Sequence, residues 1–304
     1  MTDQSNKSTA FALLGLTVLV WGAAPAFIRS FSLATGPADA FVIRTIAVAV
    51  PCFLLLPFFG GYTVARKDIP RLLLISLGMF GYFAGSIFGF AYVTSGVGGI
   101  IISTQPLLIA LLAGIFGTER ITIPTIIGLI VSFVGTFYLF SGDTSGAGTH
   151  ENIITGGLMI FASGFFWSIY VIFSKTLIQS YGSFKIMALS IMLAALPVLA
   201  FASSSTWETT RNLNRNAIFA LLYLTLIGTL LTVSTWNYAT ARLQPTTVGA
   251  SLYLIPVLAI ASGALILGES ITATALVAGA IILLGVAFAQ FGPIFLRTRA
   301  QNST

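Results

Sequence analysis

STQPLLIALLAGIFGTERIT, residues 103–122, returns 150 positions later as YLIPVLAIASGALILGESIT, residues 253–272. Pro106 falls on Pro256, Glu119 on Glu269, and Ile121-Thr122 on Ile271-Thr272. The same offset pairs Gly99 with Gly249 and Gly135 with Gly285. Nearer the start, Trp21-x5-Phe27-x-Arg29 matches Trp167-x5-Phe173-x-Lys175 at an offset of 146. A single match of this kind is weak. Two runs in the same order, each with a proline inside an apolar segment, mark a duplicated chain.

The duplicated segments are apolar throughout. Of 304 residues, 57% are hydrophobic and only 7% are charged, against about a quarter in a soluble domain. Fourteen basic and eight acidic residues cannot coat a globule of this size, so a soluble enzyme is excluded. The net charge of +6 would suggest nucleic acid in a soluble domain. In a membrane protein it is the ordinary excess of Lys and Arg in cytoplasmic loops, and no nucleic-acid partner is expected. Cys52 and His150 are the only residues of their types. A disulfide, a metal cluster and a cofactor site are therefore not expected.

A membrane-crossing helix needs about 20 apolar residues. That window divides the chain into ten spans: 11–31, 38–58, 72–92, 96–117, 122–140, 154–175, 185–203, 216–239, 246–267 and 272–293. Short loops and tails remain, too little for an extramembrane domain. An even number of spans puts both termini on one side. That side carries Lys7, Arg66, Lys67, Arg71, Arg120, Lys175, Lys185, Arg242, Arg297 and Arg299; the other carries Arg29, Arg44, Arg211 and Arg215. The bias predicts cytoplasmic termini. Lys7, the apolar run from Phe11 and Ala24-Pro25-Ala26 also have the build of a signal peptide. The repeat runs straight through that cleavage site, which argues for a retained helix.

The expected fold is all-α, with one five-helix repeat over residues 1–146 and another over 147–304. Because five is odd, the second repeat enters the membrane inverted. Inverted repeats belong to secondary transporters, whose substrate site lies near the midplane between the halves.

The residues also resemble a known family. VWGAAPAFIRS (20–30), AFVIRTIAVAV (40–50) and STQPLLIALLAGIFGTERIT resemble the drug/metabolite transporter superfamily of the ten-helix EamA type. FFWSIYVIFSK (165–175) and YLIPVLAIASGALILGESIT resemble the second-repeat copies of those motifs. The resemblance covers nearly the whole chain and is strongest to bacterial exporters of aromatic and other amino acids. It implies export from the bacterial inner membrane. Members often carry Glu just before the second-repeat proline, where this chain has Ile255.

Candidate cargo contacts are the polar or amphipathic residues at mid-span: Trp21, Tyr82, Ser86, Gln105, Trp167, Thr232 and Tyr253. Trp prefers the membrane interface, so two repeat-matched central Trp residues point either to helix packing or to a cavity wall. The others must find a partner in hydrocarbon, and an interhelical hydrogen bond is the alternative to cargo contact. Pro106 and Pro256 are expected as mid-helix kinks and a pair of hinges. Arg44, about six residues into the second span, is within snorkelling reach of the outer face and reads as an anchor or pairing residue, with ligand contact as the alternative; Trp236, near its helix end, reads as an interfacial Trp. Glu119 and Glu269 read as satisfied carboxylates at turns, with a gate as the alternative. Gly81, Gly85 and Gly89 form a small-xxx-small stripe read as helix packing, with dimerisation as the lesser alternative, so a monomer or weak homodimer is expected.

Placed this way, the charges leave the midplane neutral, which suits amphipathic metabolites and disfavours sugar phosphates that need Arg or Lys clamps. An intramembrane hydrolase would need a Ser–His pair, facing aspartates or a metal. Asp3, Asp39, Asp68 and Asp143 all fall in loops or tails, so no enzyme is expected. A passive facilitator or channel, and a carrier of the same superfamily for another metabolite or drug, remain as alternatives.

Overall fold

The computed structural model describes residues 2–116, 123–141, 150–240, 242–243, 251–252 and 254–301. Among these, every regular element is a helix. They are α1 (Thr2–Thr35), α2 (Pro37–Leu55), α3 (Ile69–Tyr92), α4 (Ser95–Ile102), α5 (Gln105–Ile115), α6 (Ile123–Ser141), α7 (His150–Tyr181), α8 (Ser183–Val198), α9 (Ser204–Arg211), α10 (Arg215–Leu222), α11 (Thr232–Thr240), α12 (Leu254–Leu267) and α13 (Ala273–Gln301). Seven helical stretches are long and apolar enough to cross a bilayer. Three shorter apolar helices, Ile126–Tyr138, Leu254–Leu267 and Ala273–Phe288, accompany them. Their outer faces carry bare hydrocarbon side chains. Leu265 is 86% exposed, Phe58 81%, Phe137 74% and Ile123 73%, a surface suited to lipid rather than water.

The duplication continues into backbone detail. Gly36 joins α1 to α2 at φ +79°, and Gly182 joins α7 to α8 at φ +87°, again 146 positions apart. Both take a left-handed conformation that side chains resist, so each sharp corner needs glycine. Pro51 in α2 and Pro197 in α8 stand at the same offset. Helices also pack on their own counterparts. α2 lies against α8, and α6 against α13. In the second pair Ser132 Oγ donates to the carbonyl of Ile282, its mate at the 150-residue offset, at 3.2 Å. Contact between matched elements is what a two-fold relation between repeats produces.

Glycines set the closest approach, between α3 and α7. A Cβ on Gly85 would lie 2.6 Å from the Met159 carbonyl, and one on Gly89 would lie 2.8 Å from that of Gly156. The stripe is therefore a backbone-to-backbone packing seam.

The fourth span differs from a kinked single helix. It breaks at Ser103-Thr104 into α4 and α5, and Pro106 is the second residue of α5. First-turn amides have no intrahelical acceptor, so proline there removes nothing. The two hydroxyls cover the end of α4. Ser103 Oγ donates to the Ile100 carbonyl at 2.6 Å, and Thr104 Oγ1 to that of Ile101 at 2.7 Å. Pro256 sits likewise in the first turn of α12. Pro106 thus starts a half-helix instead of bending a continuous one.

The span from Arg215 holds a second irregularity. Tyr223–Leu231, between α10 and α11, is π-helical, and Thr229 Oγ1 donates five residues back to the Leu224 carbonyl at 2.9 Å. Such segments concentrate at functional sites.

Apart from Arg44, the charged groups with described partners gather at two ends. At one, Lys185 Nζ donates to the Gly60 carbonyl at 2.7 Å, and the Tyr181 hydroxyl to Asp68 Oδ2 at 2.7 Å. At the other, Asp39 accepts from the hydroxyls of Thr206 and Thr209, each at 2.7 Å. At that end too, Arg29 Nε pairs with Glu269 Oε1 at 2.9 Å.

Candidate functional site

A cavity of about 150 Å³ lies at the seam of the two repeats. From the first repeat it is walled by α1, α2, α3 and the α4–α5 break. From the second it is walled by α7, the π segment, α11 and the start of α12. The broken helices bring Ser103, Gln105 and Pro106 to its wall, and the π segment brings Leu224, Gly228 and Thr229.

Its centre is aromatic. Trp21 and Trp167, matched by the repeat, meet edge to face with ring centroids 6.3 Å apart. Tyr82 lies 5.0 Å from Trp167, and Trp236 lies 5.0 Å from Trp21. The Trp21 indole N–H donates to Thr232 Oγ1 at 2.9 Å. One turn earlier, the Thr17 and Thr235 hydroxyls bond at 2.7 Å. These two links fasten α1 to α11 and hold the Trp21 ring on the cavity wall.

Of the residues singled out from sequence, Trp21, Tyr82, Gln105, Trp167 and Pro106 line this cavity. Ser86 and Thr232 stand behind the wall. Ser86 is buried and donates to the Phe83 carbonyl at 3.1 Å. Thr232 is buried and holds Trp21 while donating to the Gly228 carbonyl at 2.7 Å. Both hydroxyls are consumed by protein. Pro256 is buried against α4, beside Gly99, and does not line the cavity. Tyr253, Glu119 and Gly249 lie outside the described residues.

Two expectations are corrected. Trp236 is a cavity residue, not an interfacial one: α11 follows the π segment, and the ring lies against Trp21, tilted by 40° with centroids 5.0 Å apart. Arg44 does not snorkel. It is 4% exposed and lines the cavity. Its guanidinium carbon lies 5.0 Å over the centroid of Phe83. Its Nε and Nη1 atoms are buried without a hydrogen-bond partner. The seam therefore holds one formal charge. No carboxylate appears among the described lining residues.

Beyond the cavity, Glu269 ties the repeats together. Its Oε2 accepts from the Ser95 amide at 2.8 Å and its Oε1 from the Ser95 hydroxyl at 3.1 Å. Arg29, besides pairing with Glu269, donates to the Phe90 and Val93 carbonyls. The carboxylate thus closes the N-terminal end of α4, where negative charge is favoured, and Thr272 Oγ1 accepts from the Ala275 amide at 3.2 Å to cap α13. Glu269→Gln would turn an amide N–H₂ toward these donors. The expected result is a loss near the low end of about 3–5 kcal/mol for breaking a buried pair, since the two side chains keep 15% and 11% exposure. A thermal melt in detergent checks it; an unchanged melting temperature would contradict the assignment.

The EamA-like transporter family matches the chain twice, at residues 8–141 and 154–291. The protein belongs to that family and is a multi-pass membrane transporter built on a duplicated domain. Among its relatives, the probable amino-acid metabolite efflux pump of Salmonella typhimurium is 26% identical over 253 residues, 79% of this chain and 83% of its own. The probable terminal-alkyne amino-acid exporter of Streptantibioticus cattleyicolor is 27% identical over 288 residues, 92% of either chain. An uncharacterized transporter of Archaeoglobus fulgidus is 26% identical over 277 residues, 90% of this chain and 96% of its own. A crystal structure at 21% identity aligns with a TM-score of 0.60 over 95% of this chain and 99% of that one, a likeness of fold alone.

Proposed function

We propose that the protein exports small amphipathic metabolites, foremost amino acids with aromatic and other neutral side chains, across the bacterial inner membrane. The observation that carries this reading is the aromatic cavity at the seam, with Trp21 and Trp167 in edge-to-face contact on its wall. Rings of this kind accept apolar and aromatic side chains by stacking and edge contacts. The likeness to the probable amino-acid metabolite efflux pump of Salmonella and the probable terminal-alkyne amino-acid exporter of Streptantibioticus supports amino acids as cargo.

Transport proceeds by alternating access. Ten spans in two inverted repeats, with both termini cytoplasmic, give two conformations of similar energy, each opening the cavity to one side. The half-helices that begin near Pro106 and Pro256 are the moving parts. Trp21, Tyr82, Gln105 and Trp167 touch the cargo, joined by Tyr253; Ser86 and Thr232 hold the wall. The acting unit is a monomer or weak homodimer in the lipid bilayer. Since the described lining residues include no carboxylate to carry a coupling proton, facilitated diffusion through the same cavity is the second reading.

The test is purified protein in liposomes, screened for uptake of the amino acids with and without a pH gradient. Saturable uptake of phenylalanine, tyrosine, tryptophan or leucine above empty liposomes is expected. Acceleration by the gradient favours coupled export over facilitation. Uptake of none of them overturns the amino-acid reading.

A further inference from the structure

Arg44 is the one described ionisable group other than Tyr82 on the cavity wall, and its surroundings do not account for it. A guanidinium keeps its charge in a protein, and a buried charge is costly unless it is paired. Here Nε and Nη1 have no hydrogen-bond partner; the guanidinium lies over the face of Phe83 and beside Tyr82, with no carboxylate on the described cavity wall. A structural arginine at a helix seam would bond carbonyls or a carboxylate. Arg29 does both in the same molecule, and Lys185 takes a carbonyl. The repeat sharpens the contrast. At the 146-residue offset the counterpart of Arg44 is Ser190, a buried residue whose hydroxyl is bonded to the Met187 carbonyl at 2.8 Å. Arg44 therefore breaks the two-fold and gives the cavity a single cationic pole. The N-terminal end of α5 adds to that pole, since Gln105 and Pro106 line the same cavity and a helix N-terminus favours anions.

We infer that Arg44 binds the carboxylate of the cargo, while the Trp21, Trp167 and Tyr82 rings take its apolar side chain. A carboxylate answers the guanidinium with two parallel charge-assisted hydrogen bonds and fixes which end of the molecule enters the cationic pole. The cargo class narrows accordingly. Amino acids and related aromatic acids fit, whereas the corresponding amines and amides leave the arginine unpaired. This inference rests on the proposed function only in taking the cavity as the cargo site.

The test uses the emission of the cavity tryptophans, excited beyond the absorption of a phenyl ring, to follow direct binding to the purified protein. The probes are L-phenylalanine, 3-phenylpropionate, phenethylamine, phenylalaninamide and phenyl phosphate. For the wild type, the two carboxylates are expected to bind about 10-fold or more tightly than the amine and the amide. Arg44→Gln is expected to abolish that difference by weakening the carboxylates and leaving phenethylamine unchanged, and Arg44→Lys to restore part of it. Binding of 3-phenylpropionate that depends on Arg44, without binding of phenylalanine, keeps the anchor and rejects the amino-acid reading. Equal binding of phenylalanine and phenethylamine by the wild type overturns the anchor. So does unchanged phenylalanine binding by a monodisperse Arg44→Gln. Phenyl phosphate binding far tighter than both carboxylates overturns the choice of carboxylate. Should Arg44→Gln fail to fold, the wild-type series decides alone.

Discussion

Trp167→Ala is expected to lower transport about 10-fold or more while leaving normal amounts of protein in the membrane. Trp167 meets Trp21 edge to face, lies 5.0 Å from Tyr82 and stacks on Tyr170 at 5.3 Å. Each such pair contributes about 0.5–1.5 kcal/mol beyond its buried area, so removing the ring both widens the cavity and loosens its neighbours. Trp21→Ala is expected to cost more, because it also removes the indole donor to Thr232 and with it one of the two links between α1 and α11. Trp167→Phe keeps a ring and should retain much of the activity. Transport in proteoliposomes, normalised to protein incorporated, separates these outcomes. Wild-type rates for both alanine variants would remove the aromatic walls from the account.

The largest effect on folding is expected at Gly85. Leucine there would drive its Cβ to 2.6 Å from the Met159 carbonyl and 2.9 Å from the Ser163 Cβ. Overpacking usually costs about 1–3 kcal/mol because side chains can shift. Here one of the atoms met is backbone, and the adjoining Gly89–Gly156 contact cannot part without opening the whole α3–α7 seam. The expected result is failure to obtain monodisperse protein. Gly15→Leu is the control, since a Cβ at Gly15 meets nothing within 4 Å, and it should purify like the wild type. A stable Gly85→Leu would mean that α3 and α7 are not packed as described.

The duplication was legible because its markers are chemically unusual. A proline inside an apolar run, a Trp at mid-span and a Glu at a turn each stand out, and their order repeats. The Gly36–Gly182 and Pro51–Pro197 pairs follow the same offset and were open to the same comparison. Small residues in helices attract less notice until a positive φ shows why glycine is needed. The glycine stripe was legible as packing, but its partner α7 was not, since spacing on one helix says nothing of what lies opposite.

Within the site, mid-span position identified Trp21, Tyr82, Gln105 and Trp167 but not which face of the helix they occupy. Ser86 and Thr232 lie at comparable depth and point into the wall. Arg44 was misjudged by a measure of depth taken from the end of its span. Distance along a helix does not reveal whether a long side chain runs outward to the surface or inward to a seam. Trp236 was misplaced because hydropathy cannot register a π-helical segment, which rotates everything after it relative to an α-helix. The break at Ser103-Thr104 escaped for a related reason: apolarity continues unbroken across it while the backbone does not.

The central claim is that one cavity between two repeats is loaded from one side of the membrane and emptied to the other. Counterflow of labelled L-phenylalanine tests it most directly. Liposomes containing the protein are preloaded with unlabelled phenylalanine and diluted into a trace of the labelled compound. The account predicts transient accumulation of label above equilibrium, saturating with external phenylalanine and stimulated by the internal pool. Label that only equilibrates, at a rate proportional to concentration and indifferent to the internal pool, would contradict it.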